Sequence, residues 1–219
     1  MAEAPQIIYG RRPVEEARRG RRRVRQVWTA ADTGADELTR LAGSPDHQGV
    51  VAEVDPYPYA DARDLLATGD ALIVAIDQVQ DPHNLGAVCR SAEAAGAAGV
   101  VIPDRRSASV TAVACKSSAG AVEHLAVARV RNLADWLADA KRSGGWIHGA
   151  ESGAPTAYTD ADLTGFAVIV LGSEGRGLRP RVAEACDVLV SIPVAGRVGS
   201  LNVSAAAAVI LFEAVRQRS

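Results

Sequence analysis

Three stretches of the chain put chemically capable side chains where a strand is expected to end. The first is Asp77-Gln78-Val79-Gln80-Asp81-Pro82-His83-Asn84-Leu85-Gly86-Ala87-Val88-Cys89-Arg90, a strand end, a polar loop and a helix start. Leu85, Val88, Cys89, Ala92 and Ala95 recur at helical spacing and form an apolar stripe, which leaves Arg90 on another face. Asn84 reads equally as a helix cap and Arg90 as a solvated charge. His83 is a loop imidazole held in reserve as a base. The second stretch, Val168 to Leu178, follows an apolar run with Gly172, Gly175 and Gly177. Their G-x-x-G-x-G order is neither the dinucleotide fingerprint nor a phosphate loop, and Glu174 suits the positive end of a helix. The third, Ser191 to Ala205, reads as a strand stopped by Pro193, a loop with Gly196 and Gly199, and a helix entrance where Ser200 or Asn202 can cap free N–H groups. Glycines that admit close approach and unpaired donors at a helix start make a site for a small polar molecule or a phosphate.

The elements that must position these stretches are legible from hydrophobic pattern. From Ala71 onward, continuously apolar runs at Ala71 to Ile76, Gly99 to Ile102, Trp146 to Gly149, Ala167 to Leu171 and Val188 to Ile192 read as strands of a parallel sheet covered on both faces. Between them lie helices near Leu85 to Ala95, Val110 to Ser117, Leu133 to Arg142, Arg179 to Cys186 and Asn202 to Arg218. That alternation predicts an α/β fold with crossover helices. Before it, a helix near Val14 to Arg19, a strand Val24 to Trp28, a helical turn Asp36 to Leu41 and a strand Gly49 to Val54 form a smaller piece, and Asp55-Pro56-Tyr57-Pro58-Tyr59 is a stiff connector. The expected division is residues 1–55, a linker 56–70 and a larger domain 71–219.

Composition narrows the class. No stretch approaches the ~20 unbroken apolar residues of a membrane span, and Met1-Ala2-Glu3-Ala4-Pro5 does not read as a signal peptide. Three cysteines, Cys89, Cys115 and Cys186, form neither a metal spacing nor an even disulfide set, which points to a reduced, cytoplasmic protein without a metal. The net charge of −2 hides a cluster: Arg11, Arg12, Arg18, Arg19, Arg21, Arg22, Arg23 and Arg25, opposed by Glu15 and Glu16. A solvated basic helix and a phosphate-binding face both fit it. Of 24 basic residues only Lys116 and Lys141 are lysine, and arginine is the residue suited to bidentate phosphate recognition.

The three stretches in order resemble the SpoU-type RNA ribose 2′-O-methyltransferases of the SPOUT superfamily. The carrying motifs are N-x-G-x-x-x-R at Asn84 to Arg90, L-G-x-E-x-x-G at Leu171 to Gly177, and S-I-P-x-x-G-x-x-x-S-L-N-V-S-A at Ser191 to Ala205. The resemblance covers roughly residues 71 to 218. Ile8-Tyr9-Gly10 and His47-Gln48-Gly49-Val50-Val51-Ala52 look like the small substrate-recognition domain of the ribosomal-RNA branch. It implies a knotted parallel sheet, a deep trefoil knot being an exception to the rule against threading, preceded by a small α/β domain. It further implies S-adenosylmethionine held by Leu171, Gly172, Gly175, Ile192, Pro193, Gly196, Ser200 and Leu201, with Gly196 and Gly199 letting their loop pass close to the other motif loops. Catalysis falls to Arg90 with Asn84, Glu174, Ser200 and Asn202; RNA contacts fall to Arg11, Arg12, Arg22, Arg23 and Arg90; and the protein is expected as a homodimer acting on a guanosine of large-subunit ribosomal RNA.

Two departures stand out. The leading piece is short for an α/β module, trimmed or incomplete around Ala30 to Asp46, and Val194-Ala195 stands where many relatives have methionine after the proline. Competing readings are a transfer-RNA 2′-O-methyltransferase, a non-catalytic RNA-binding or ribosome-associated factor of the same fold, and a doubly wound nucleotide-binding enzyme.

Overall fold

Hydrophobic runs that are buried at every position, not at alternate ones, belong to strands with both faces covered, because successive side chains point to opposite sides. Leu72 to Ile76 and Ala167 to Leu171 are such runs in the computed structural model, which describes residues 4–67, 69–173, 175–197 and 199–219. In chain order the described elements are β1 (Gln6–Tyr9), α1 (Arg11–Arg19), β2 (Val24–Thr29), α2 (Ala30–Thr33), α3 (Ala35–Ala42), β3 (Val50–Val54), β4 (Leu72–Ile76), α4 (Pro82–Ala94), β5 (Gly99–Pro103), α5 (Ala112–Ser117), β6 (Ala126–Val130), α6 (Leu133–Arg142), β7 (Trp146–Ala150), β8 (Thr156–Ala157), β9 (Ala167–Leu171), α7 (Pro180–Glu184), β10 (Val188–Ser191) and α8 (Val203–Arg218).

Two compact units result: the chain up to Pro58 with residues 82–90 and 109–124, and residues 59–81, 91–108 and 125–219. In the first, β3 is central in a three-stranded antiparallel sheet of order β1-β3-β2. Tyr9, Leu38 and Val51 form its apolar cluster, with Trp28, Leu41 and Ala112 packed on them. In the same unit Arg22 is buried, which corrects its expected place on an RNA-facing surface. Its Nε donates to Glu123 Oε2 at 2.9 Å, Nη2 reaches Glu123 Oε1 and, at 3.3 Å, Cys115 Sγ, and Nη1 donates to Gln6 Oε1 at 3.0 Å. A guanidinium surrounded by acceptors is tolerated inside because its donors are matched. Burial alone would lower its pKa, yet the carboxylate raises it beyond the ordinary arginine value.

The second unit holds a seven-stranded parallel sheet of order β6-β5-β4-β9-β7-β10-β8 flanked by helices. One face packs Ile73, Ala75, Val101, Ile147, Val168 and Val170 against Leu133, Trp136 and Leu137 of α6 and Val182 of α7. Asn132 caps α6 by accepting from Ala134 N at 3.1 Å, and Trp136 Nε1 donates to the carbonyl of Ala62 at 3.0 Å. α8 packs along β9 and buries Val203, Ala207, Ile210, Leu211 and Ala214, a helical stripe. From β4 the chain builds outward to β5 and β6, then returns to the other side of β4 for β7 to β10. That reversal is a topological switch point, where a parallel sheet opens a crevice beyond its carboxyl ends.

Candidate active site

Beyond the carboxyl ends of β7, β9 and β10 lies a cavity of about 360 Å³, within the size range of small-molecule sites. Leu171, Val190, Ile192, Val194, Leu201 and Val203 make its apolar walls; Glu151, Ser152, Ser173, Arg176 and Ser200 supply polar groups.

Each wall is fixed by its strand end. After β9, Ser173 and Gly177 exchange backbone hydrogen bonds of 3.2 and 3.0 Å, closing a tight loop. This loop leaves no room at Gly172: a Cβ there would collide with the carbonyl of Gly177 and lie 2.6 Å from the amide nitrogen of Leu178. The glycine is required because the loop folds back onto its own strand. After β7, the Glu151 carboxylate accepts from Leu178 N at 3.2 Å, and Ser152 Oγ donates to the carbonyl of Gly199 at 2.7 Å, tethering the loop before α8. After β10, Ser191 Oγ donates to the carbonyl of Ala154 at 2.8 Å. Asn202 Oδ1 caps α8 by accepting from Ser204 N at 2.9 Å. After β4, the fully buried Asp77 carboxylate accepts from Arg179 N and Nε, both at 2.8 Å, and lies 2.7 Å from its Nη2.

The donor set suits S-adenosylmethionine. Apolar walls can sandwich an adenine, backbone groups of three converging loops can read its edge, and hydroxyls with one carboxylate can meet a ribose and a cationic centre. The crowding at Gly172 is what brings the loop backbone to the cavity.

The SpoU rRNA Methylase family model matches residues 71–212, which contain every strand that builds the cavity. The chain belongs to the SpoU rRNA methylase family. A Mycolicibacterium smegmatis protein described as an uncharacterized tRNA/rRNA methyltransferase is 42% identical over 245 residues, 99% of this chain and 78% of that protein. That alignment is longer than this chain, so the relative carries internal residues without counterpart here. Among solved structures, an AdoMet-bound rRNA methyltransferase from Sinorhizobium meliloti superposes with TM-score 0.83 at 26% identity, covering 97% of this chain and 87% of that one. An RNA 2′-O ribose methyltransferase superposes with TM-score 0.82 at 28% identity, covering 96% and 88%. This SpoU protein is an S-adenosylmethionine-dependent RNA methyltransferase.

Of the SpoU motif residues expected at the cofactor, Leu171, Gly172, Gly175, Ile192, Ser200 and Leu201 line the cavity, while Pro193 and Gly196 are exposed and do not. Glu174 lies outside the described residues. Asn202 serves the helix cap and is not a lining residue. The expected reason for Gly196 and Gly199 finds no support in contacts within the chain: a Cβ at either would meet nothing within 4 Å. The close approach occurs at Gly172 instead. Asn84 and Arg90 belong to the other compact unit and are not among the lining residues. There Arg90 is exposed on α4, and Gly86 of the same motif is a packing residue, since a Cβ would strike Ser117 Oγ and lie 2.5 Å from the carbonyl oxygen of Ala114.

Glu151 and Ser152 are site residues that sequence reasoning missed. The signal was present: Gly149-Ala150-Glu151-Ser152-Gly153 is another apolar strand running into polar and small residues. Among the described residues no group of three or more His, Cys, Asp or Glu side chains is placed to hold a metal.

Proposed function

We propose that this methyltransferase modifies the ribose 2′-hydroxyl of a guanosine in large-subunit ribosomal RNA, as a cytoplasmic homodimer. In this reading residues 1–55 recognise substrate, 56–70 link, and 71–219 catalyse. The observation that carries it is the cavity walled by strand-end loops bearing the family's motifs, in a chain whose fold follows that of a protein named for RNA ribose 2′-O-methylation. Support for ribosomal RNA comes from the neighbour named an rRNA methyltransferase, whose likeness extends over 97% of this chain and so includes the leading unit. The exposed arginines there, Arg11, Arg12, Arg18 and Arg23, are suited to phosphates.

S-adenosylmethionine, when bound, supplies a methyl on a sulfonium, an already excellent leaving group. The chain's residues then have two tasks, alignment and management of the hydroxyl proton. Leu171, Ile192 and Leu201 hold the cofactor's apolar surface, while Gly172 and Gly175 offer backbone groups. Arg90 is a poor base, because arginine stays protonated in proteins. It acts as a clamp on the target phosphate and as a positive charge beside the developing alkoxide, with the proton passing to phosphate or water. Asn84, Glu174, Ser200 and Asn202 complete the proposed catalytic set by orienting the ribose and the motif loops.

The test is methyl transfer from labelled S-adenosylmethionine to separated native ribosomal and transfer RNAs, with nuclease digestion and mass spectrometry of the product. 2′-O-methylguanosine in large-subunit RNA is expected; label in transfer RNA alone, or on a base, overturns the proposal. Arg90→Ala is expected to keep calorimetric affinity for the cofactor and lose at least about a hundred-fold in single-turnover rate.

A further inference from the structure

The cavity occupies the carboxyl ends of β9, β7 and β10. Across β4, the carboxyl ends of β5 and β6 carry a different surface. β5 runs into Asp104-Arg105-Arg106 and β6 into Arg131, and the amide of Asp104 donates to the carbonyl of Val130 at 2.9 Å, holding the two turns side by side. Arg105, Arg106, Arg129 and Arg131 are all exposed, and among the described residues none is ion-paired. Several exposed arginines elsewhere are matched by neighbours in sequence, Arg19 by Glu15, Arg40 by Glu37, Arg63 by Asp61 and Arg142 by Asp139, whereas Arg11, Arg18 and Arg23 of the first unit, like these four, show no ion pair among the described residues. Asp104 is the one acid in these two turns, so the rim is locally positive on a chain whose net charge is −2.

Two further observations give the rim a structure. Arg106 has φ 58°, a left-handed conformation that residues other than glycine avoid. Just after it, the amide of Ala108 donates to the carbonyl of Val79 at 2.8 Å, tying the turn to the loop that leaves β4. Arg129 stacks its guanidinium 3.8 Å from the centroid of the Tyr59 ring and donates to Tyr59 Oη at 2.8 Å. A stacked, exposed guanidinium is a planar platform for an unpaired base.

We propose that this rim is an RNA subsite that holds the single-stranded stretch flanking the target nucleotide, with Arg105, Arg106 and Arg131 on phosphates and the Arg129–Tyr59 stack beneath one unpaired base. The inference rests on the RNA methyltransferase reading and adds to it where the strand runs. From β9 to β6 is three strand spacings, about 14 Å, or about four nucleotides at a stacked rise of about 3.4 Å. One RNA strand therefore reaches both the cavity end and the arginine end of the same sheet edge.

The test uses the full chain and a fluorescein-labelled 20-nucleotide single-stranded RNA of mixed sequence, with anisotropy read across a potassium chloride series. The triple variant R105A/R106A/R131A is expected to reduce the slope of log affinity against log salt by about 2, since each single-strand phosphate contact contributes about 0.7. Its affinity at low salt should fall at least ten-fold, with calorimetric S-adenosylmethionine binding unchanged, and R142A/R181A should match the wild type. Arg129→Lys, which keeps the charge and loses the plane, should weaken binding about three-fold or more with an unchanged slope. A triple variant with wild-type slope and affinity overturns the subsite, and Arg129→Lys that lowers the melting temperature but not RNA affinity overturns the platform. Methyl transfer by the wild type to bulk RNA is scored in parallel. An active wild type with an indifferent triple variant removes the subsite alone, whereas a wild type that neither binds nor methylates RNA removes the underlying reading.

Discussion

Asp77 has no exposed surface, and a carboxylate taken out of water costs several kcal/mol unless its oxygens are matched. Arg179 matches them from the head of α7, so the loop after β9 is fastened to the end of β4. Between those fixed points the loop turns back at Gly172, and the added methyl of Gly172→Ala would meet backbone, which cannot rotate away. The expected result is a folded protein, by circular dichroism, whose S-adenosylmethionine affinity in calorimetry falls at least ten-fold. Sequence showed that Gly172 follows a strand but could not show why it is glycine, because the colliding atoms belong to residues five and six positions later in a loop whose path no local pattern encodes. Gly196 and Gly199 illustrate the converse: glycines in a motif loop whose place in space is open.

At the scale of elements, the Arg22–Glu123 pair fastens the turn between α1 and β2 to the turn after α5 within one unit, and both side chains are about 1% exposed. Removing one partner strands the other charge. Arg22→Ala should therefore cost about 3–5 kcal/mol in urea unfolding, whereas Arg22→Met with Glu123→Leu should return to within about 1 kcal/mol of wild type or exceed it. An Arg22→Ala variant as stable as the wild type would show that the pair is solvated. Sequence placed Arg22 with its surface neighbours because an arginine run has no internal mark of which member points inward. Elements with strong ends were legible: α6 spans Leu133 to Arg142 as expected, with Asn132 at its start and basic residues in its last turn. Three strands escaped. β1 is four residues and β8 two, too short for periodicity to register, and β6 reads Ala-Val-Ala-Arg-Val, where Arg129 interrupts the apolar run. That interruption is affordable because β6 is the sheet edge, and an edge strand can turn a charge to solvent.

For the whole molecule, pH should mark both ends of the stability range. His148 is buried, neither ring nitrogen has a protein hydrogen-bond partner, and burial holds its pKa below the ordinary value, with Asp187 and Asp162 opposing. The unfolded chain therefore takes up the proton first, and stability present above about pH 6.5 is lost as pH falls. Burial pushes the Cys89 and Cys186 thiols up to about 12 and Cys115 to about 11. Their contribution is complete below the ordinary thiol value and is lost as pH rises from about 9. Urea midpoints at pH 5.5, 7.5 and 10 should peak in the middle, and His148→Leu should flatten the acid side only; a midpoint indifferent to His148→Leu at pH 5.5 would refute its part. The placement of the tryptophans has an optical consequence. Trp28 packs on the cluster of the first unit, Trp136 lies under the parallel sheet, and Trp146, 55% exposed, begins the strand whose far end, about 13 Å away, meets the cavity. None of the three lines the cavity. Intrinsic emission thus reports from both units on unfolding, with a red-shifted component from Trp146, while cofactor titrations need a signal other than tryptophan quenching.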